Sequence, residues 1–388
     1  MADFIDFNPR ESLKKNSIAV KVAMENVQPF TKRVETLERA TFTGGSKFRN
    51  GDTIMARITP CLENGKTAFV DFLEDGEVAF GSTEFIVLRA KESISDPQYI
   101  YYLAMSPDVR NVAIKSMVGS SGRQRVQQSV LNEYVVPLPN IDQQRLIGRF
   151  LADLDDKIAL NQKINRNLAA QAQAIFKSWF VDFEPWGGVK PKEWREVKFG
   201  ELVTINTRTF NPSKEPLTIL EHYSIPAYDE KGFPVFESSA GIKSNKYIVD
   251  KSCFLISKLN PTTKRVWKPF CITQNSVCST EFIVFRAKLQ EMAEYLYSVV
   301  DSEEFSEQMC SHVKGSTGSR QRTTPADTLL FKVHLPSQEH IENFTRIVKP
   351  IYEQIQNITI ESQCLTILRD NLLPKLMSGE IDVSKLDI

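Results

Sequence analysis

The chain has no apolar run approaching the roughly 18 residues needed to cross a bilayer, which excludes a membrane-spanning helix. Its opening stretch, MADFIDFNPRES, carries acids early and holds no apolar core with a small-residue cleavage site, so no secretory signal is read there. Cysteine is sparse, with six residues (Cys61, Cys253, Cys271, Cys278, Cys310, Cys364) and no C-x-x-C pair. The four histidines never fall at ligand spacing beside them, which argues against a zinc site. Free buried thiols in a reducing cytoplasm are the expectation. An excess of either charge is also lacking: 48 Lys and Arg balance 48 Asp and Glu, whereas a stand-alone nucleic-acid binder is usually basic. Either DNA is not a partner, or the cations gather on one surface and the acids on another. The length of 388 residues, with 41% hydrophobic and 25% charged residues, predicts two to four compact globular units.

Catalytic signatures are missing as well. CLENGKT (Cys61 to Thr67) resembles the end of a phosphate-binding loop, but Pro60 stands where the first glycine is required. No G-x-G-x-x-G opens a helix and no G-x-S-x-G elbow occurs. The Asn-Pro pairs at Asn8, Asn211 and Asn260 are not followed by a second proline and an aromatic, as an amino-methyltransferase would need. Glu84 and Glu281 recur at equivalent places on strands, where they read as ion-pair or capping groups. The chain is therefore read as carrying no active site.

What is present is a repeat. STEFIVLRAK at 82–91 answers STEFIVFRAK at 279–288, an offset of 197 (279 − 82). GSSGRQR from Gly119 answers GSTGSRQR from Gly315, and VVPLPN answers KVHLPS at the same offset. Each copy opens with strand-like runs, GDTIMARI in the first and CFLISKL in the second, followed by the TEFIV strand. A short helix is predicted around Tyr99 to Met105 and Tyr295 to Val300, then the Gly-Ser loop, a short strand and a Leu-Pro stop. The apolar period then changes from 2 to about 3.5.

The first seam runs Ile147, Leu151, Leu154, Ile158, Asn161, Asn165, Leu168, Ala172, Ile175, Trp179. Its counterpart runs Phe344, Val348, Ile351, Ile355, Ile358, Ser362, Leu365, Arg369, Leu372, Leu376. Both follow a heptad spacing, which predicts two long helices packing along their length. The residues expected to pack are Leu151, Leu154, Ile158, Leu168 and Ile175 against Val348, Ile351, Ile355, Leu365 and Leu372. At about 1.5 Å per residue, a helix from Asp142 to Phe180 would extend roughly 58 Å. Pro350 should kink the second helix or split off its first turns, and Asn161 and Asn165 should select register. A lone stripe usually marks a core-facing helix; two matching stripes behind two β-rich regions look like paired spacers. The fold expectation is α+β: two β-rich domains separated by two long antiparallel helices packed as a coiled-coil-like pair, with a pseudo-two-fold internal repeat. The linker DFEPWGGVKPKEW (182–194) fits a boundary between copies.

Candidate DNA contacts follow from cation placement. Arg123 and Arg125 in the first Gly-Ser loop, and Arg320 and Arg322 in the second, could bring guanidinium groups to a phosphate; the alternative is a plain turn with its cations in water. Arg57 and Lys258 end strands before ITP and LNP, and Lys264 and Arg265 flank Trp267 together with Lys268. Cations at strand ends suit backbone positioning, and planar Arg or Gln groups suit base edges. The stretches 11–50 and 213–250 do not match, so the two copies should read different things. Two unlike half-sites at fixed separation make an asymmetric, bipartite DNA sequence.

The wording STEFIVLRA, GSSGRQR, LPNIDQQRLIG, IFKSWFVDFEP with its WGG linker, and LLPKLMSGEI resembles the specificity subunits of type I restriction enzymes, over nearly the whole chain. The resemblance implies two target recognition domains, here 1–139 and 184–336, and two helical spacers, 140–183 and 337–388 with the tail. It implies double-stranded DNA as ligand and a cytoplasmic location. Two adenine methyltransferase subunits would dock on the spacers and ATP-dependent translocase/nuclease subunits would join them. S-adenosylmethionine, ATP and magnesium would then belong to those partners and not to this chain. One departure stands out: EWREVKFGELVTINTRT precedes FNP at 210–212, while only MADFID precedes FNP at 7–9. The first domain is thus expected to lack an opening segment, with the tail GEIDVSKLDI lying near the gap. A self-contained nuclease or methyltransferase with an unrecognised site is the alternative.

Overall fold

The computed structural model describes every residue except 35, 216–217, 312, 315–320 and 384–388, and at 313–314 the backbone alone. The chain forms two compact units, Met1–Ala159 with Cys364–Ile388, and Leu160–Gln363.

In the first unit the strands are β1 (Ile5–Phe7), β2 (Ile18–Val22), β3 (Glu38–Thr41), β4 (Ser46–Phe48), β5 (Thr53–Ala56), β6 (Thr67–Phe69), β7 (Ala79–Gly81) and β8 (Phe85–Ala90). They form an antiparallel sheet in the order β1-β8-β5-β6 and a second sheet, β3-β2-β7-β4, in which β2 and β7 run parallel. The recurring STEFIV strand is apolar at every central position because it is buried on both faces. Alternation sends Met55, Ile86 and Leu88 into one cluster with the helices, and Ile54, Phe85 and Val87 into another with the second sheet. Each such side chain, taken fully out of water, contributes about 1.5–3 kcal/mol. Helices α1 (Pro97–Met105), α2 (Pro107–Lys115) and α3 (Gln128–Glu133) follow. Asp96 caps α1 through the Tyr99 amide, and Ser106 caps α2 through that of Val109; each helix has proline in its first turn.

Helix α4 (Ile141–Phe180) continues without a break for 40 residues, close to the expected span. In the second unit come β9 (Arg195–Lys198), α5 (Phe199–Leu202), β10 (Val203–Ile205), β11 (Thr209–Phe210), β12 (Ile219–Tyr223), α6 (Ile225–Lys231), β13 (Val235–Ser238), β14 (Lys246–Ile248), β15 (Cys253–Ser257), β16 (Val266–Trp267), β17 (Ser276–Ser279) and β18 (Phe282–Ala287). Helices α7 (Ala293–Val300) and α8 (Glu303–Ser311) lead to β19 (Val313–Lys314), β20 (Arg322–Thr323), α9 (Pro325–Thr328), β21 (Lys332–Leu335) and α10 (Gln338–Ser378). The sheet β10-β18-β15-β16 repeats the first sheet of the other unit, and β11-β14-β17-β12-β13 enlarges the second. The same alternation recurs: Phe254, Ile256, Ile283 and Phe285 face the helices, while Cys253, Leu255, Phe282 and Val284 face the other sheet.

Three expectations are corrected. Pro350 does not split the second helix, because α10 is one 41-residue element through it. Pro350 and Arg346, whose carbonyl loses its helical donor to the proline, both lie on the exposed side of the helix, where water can take up that carbonyl. The FNP match is not a structural equivalence. Ile5 opposes Ala90 as Val203 opposes Ala287, so Asn8 corresponds to Asn206 and not to Asn211. The stretch of the second unit without a counterpart in the first is correspondingly shorter than expected. The Met1 ammonium donates to the Tyr134 carbonyl and Ala2 N–H to Asn132, as Phe199 N–H donates to Phe331 and Gly200 N–H to Leu329. What separates the copies is β9, which pairs with β21. Beside Val135–Leu138, the counterpart of β21, no strand lies among the described residues. Val383 of the tail packs in the same cluster as Met1 and Phe4.

The heptad seam is buried more broadly than its spacing predicts. In the first unit Leu151 is fully buried in the core and Leu372 packs at its edge, whereas Leu154, Ile158 and Leu365 are half-buried. In the second, Val348 is buried, Ile175, Ile351 and Ile355 pack partly, and Leu168 is half-buried. Phe176, Phe180 and Tyr352, outside the predicted packing set, are buried because these segments face a sheet domain as well as each other. Within this unit Asn161 Nδ2 donates to Glu361 (2.8 Å) and Asn165 Nδ2 to Thr359 Oγ1 (2.9 Å). Phe176 meets Phe344, so one segment descends as the other rises.

Candidate nucleic-acid interface

The first Gly-Ser loop is the tip of a hairpin built on the end of β5. Val118 and Arg125 exchange both backbone hydrogen bonds (2.9 and 3.0 Å) and close the loop 119–124. Gly119 and Gly122 have φ of +139° and +78°. A side chain at Gly119 would also strike the Arg123 carbonyl. The returning strand is stitched to the β5 end: Thr59 N–H donates to Gln124 and Val126 N–H to Arg57. The second unit repeats this, with Asn260 donating to Gln321 and Thr323 to Lys258. The carbonyls of Glu84 and Glu281 accept from the amides of Arg57 and Lys258, which completes one frame in both copies.

Within that frame the glutamate side chains take up the arginines. Arg125 grips Glu84 through Nε (3.0 Å) and Nη2 (2.6 Å), and Arg322 grips Glu281 through Nε and Nη2, both at 2.9 Å. The hydrogen bonds from Arg125 and Arg322 hold each glutamate below its ordinary pKa, against partial desolvation. These carboxylates are ion-pair groups, as their strand positions implied. Exposed pairs of this kind add little stability because water screens them, but a two-point fork fixes geometry.

The other candidates divide by what holds them. Arg57 donates from Nη2 to the Val126 carbonyl (3.3 Å), while its buried Nε has no partner among the described residues. Arg123 is exposed, and Lys258 is half-buried at its strand end. Lys264 bonds the Asp301 carboxylate (2.9 Å), which also accepts from Gln173; burial pushes the Asp301 pKa up against the pull of both. Arg265 forms a two-point pair with Asp229 (2.6 and 2.8 Å). Arg320 lies outside the described residues. Lys66, the lysine of the incomplete phosphate loop, donates instead to the Met24 carbonyl. The structure thus joins Arg57, Arg123 and Arg125 at one end of the first unit and Lys258 with Arg322 at the matching end of the second. Lys264 and Arg265 are tied to carboxylates elsewhere in the second unit. Sequence reading missed Asp229 and Asp301 because neither belongs to a matched motif.

Among the described residues no cluster of His, Cys, Asp or Glu could hold a metal ion. No described helix is long and apolar enough to cross a membrane.

The fold is that of a type I specificity subunit. A crystal structure of the type I restriction–modification S subunit from M. genitalium aligns with a TM-score of 0.57, covering 97% of this chain and 94% of that one at 17% identity. Residues 3–170 match the family described as the type I restriction modification DNA specificity domain. The MjaIX specificity subunit of Methanocaldococcus jannaschii is 24% identical across 74% of this chain and 70% of its own. The HindI specificity subunit of Haemophilus influenzae is 24% identical across 86% and 87%. Residues 3–170 thus match the type I restriction–modification DNA specificity domain, and the chain is similar to type I specificity subunits over most of its length.

Proposed function

We infer that this chain is the DNA sequence-specificity subunit of a type I restriction–modification complex, and not itself an enzyme. It reads an asymmetric, bipartite target with two recognition domains, 1–139 and 184–336. The observation that carries this is a duplicated frame bearing unlike surroundings. Both units share the hairpin, its glutamate and the doubly buried strand, yet their second sheets have four and five strands. Helices 141–180 and 338–378 act as a coiled-coil-like antiparallel spacer pair. The Asn161–Glu361 and Asn165–Thr359 bonds support that reading as register pins. Two methyltransferase subunits dock along the spacers, where Leu160, Ile347 and Ile367 stand exposed at 52%, 42% and 51%. Translocase/nuclease subunits join them in the cytoplasm. S-adenosylmethionine, ATP and magnesium are then the partners' cofactors.

The test is methylome sequencing of cells expressing this chain with its methyltransferase partner. The expected outcome is adenine methylation at one split consensus with a fixed gap. Scattered methylation without such a consensus would sink the reading. The purified chain alone, given DNA, S-adenosylmethionine and magnesium, should form no methylated or cleaved product.

A further inference from the structure

Arg125 presents a puzzle for a DNA reader. It sits in the most recognisable basic loop of the first unit, yet its guanidinium is taken by Glu84 in a two-point pair. The second unit has made the same arrangement between Arg322 and Glu281. An exposed pair is a weak source of stability, so its presence in both copies points to placement.

What the pair would place is next to it in the chain. Arg125 is the closing residue of the hairpin, bonded to Val118 through both backbone groups, and its neighbours Gln124 and Val126 are tied to Thr59 and Arg57. Beyond that closure the loop holds two glycines at positive φ and one turn bond, Arg123 N–H to Ser120. The side-chain grip therefore adds a fixed point at the base of a short, otherwise soft loop. The charges add up accordingly. Glu84 and Arg125 cancel, which leaves Arg123 as the exposed cation of the loop, with no bonded side-chain partner among the described residues.

We propose that Glu84 is a positioning residue: by gripping Arg125 it sets the 119–124 loop so that Arg123 meets a DNA phosphate, while Arg125 itself does not touch DNA. This rests on the chain reading DNA, as proposed above, and divides the labour between two arginines that the sequence presents as equals. Glu281 and Arg322 form the corresponding grip in the second unit.

The full chain, assembled with its methyltransferase subunits, is titrated with its own target duplex at a series of salt concentrations. Wild-type specificity is established first: absence of a split consensus at that stage removes the DNA-reading role, and the grip's purpose with it. Given that consensus, Arg123→Gln should flatten the slope of log affinity against log salt by about one, the loss of one phosphate contact. Arg125→Gln releases the loop and should flatten the slope by no more than Arg123→Gln does. The double variant Arg123→Gln with Arg125→Gln should be no shallower than Arg123→Gln alone, because Arg125 acts only through Arg123. Arg125→Glu, which sets two carboxylates face to face, should weaken binding several-fold. The exchanged pair Glu84→Arg with Arg125→Glu should recover most of that loss, because a grip works in either polarity and a phosphate contact does not. A double variant Arg123→Gln with Arg125→Gln whose slope falls by about two, the loss of two phosphate contacts, or an exchanged pair as weak as Arg125→Glu alone, would overturn the proposal. Calorimetric melting of each variant guards against unfolding, and the neutral substitutions carry the test if Arg125→Glu melts early.

Discussion

The two units solve one packing problem with different chemistry. Where the first helix after the doubly buried strand meets the long helices, the first unit is ionic. Tyr102 donates to Asp155 (2.6 Å), Arg369 pairs with the same carboxylate, and buried Lys32 lies over the rings of Phe69 and Tyr102. At the matching place in the second unit, 197 residues on, Asp155 is replaced by Tyr352. Its hydroxyl bonds Ser298 (2.7 Å), while Lys268 sits over Tyr297 and Tyr352 and pairs with Glu294. The backbone frame tolerated the exchange because each version satisfies its own buried polar atoms. An ionic seat is harder to disrupt halfway: removing one member strands a charge, whereas removing a hydroxyl strands at most a neutral group.

That contrast can be broken at its strongest point. Asp155→Ala leaves the Tyr102 hydroxyl unpaired and Arg369 with Asp370 alone, and should cost about 3–5 kcal/mol. All four tryptophans (Trp179, Trp186, Trp194, Trp267) lie in the second unit. Urea unfolding followed by circular dichroism should therefore show an early transition, while tryptophan fluorescence holds its midpoint. The opposite pattern would mean that the ionic seat does not stabilise the first unit. Tyr352→Phe should cost only about 1 kcal/mol, since it removes one neutral hydrogen bond, and here the fluorescence midpoint should move. Equal losses for the two variants would erase the distinction.

The smallest effect is in acid. Burial works against ionisation of Asp250, but hydrogen bonds from Arg286 and Ser252 outweigh it and hold its pKa at about 2, below the usual 3.8. A carboxylate lowered on folding contributes stability that is full above pH 3.8 and lost as pH falls through about 2. The fluorescence midpoint of Asp250→Asn should lie slightly below wild type at pH 5 and coincide with it near pH 2. A difference that persists unchanged to pH 2 would count against the ion pair as its source. The effect is modest because the side chain is half exposed.

Much of the architecture was legible in the chain. The 197-residue register, the uniformly apolar strand and the heptad spacing each depend on near neighbours or on self-comparison, and so survive without coordinates. The reading failed where distant groups decided the outcome. FNP matched as letters but not in its ladder, because pairing with β8 or β18 sets equivalence. Pro350 predicts a kink or a split, and the split does not occur, because the helix runs through it from Gln338 to Ser378. Phe176 and Tyr352 fall outside the seam's spacing and are buried because a sheet covers that face.

The sequence alone determined that there are two copies of one module, each closed by a long helix, since periodicity and repetition are local properties of the chain. Only the tertiary structure decided which cations remain available, because a carboxylate 41 residues away can neutralise an arginine that reads as free. Arg123 and Arg125 stand two residues apart, and Glu84, brought alongside by the fold, makes them different.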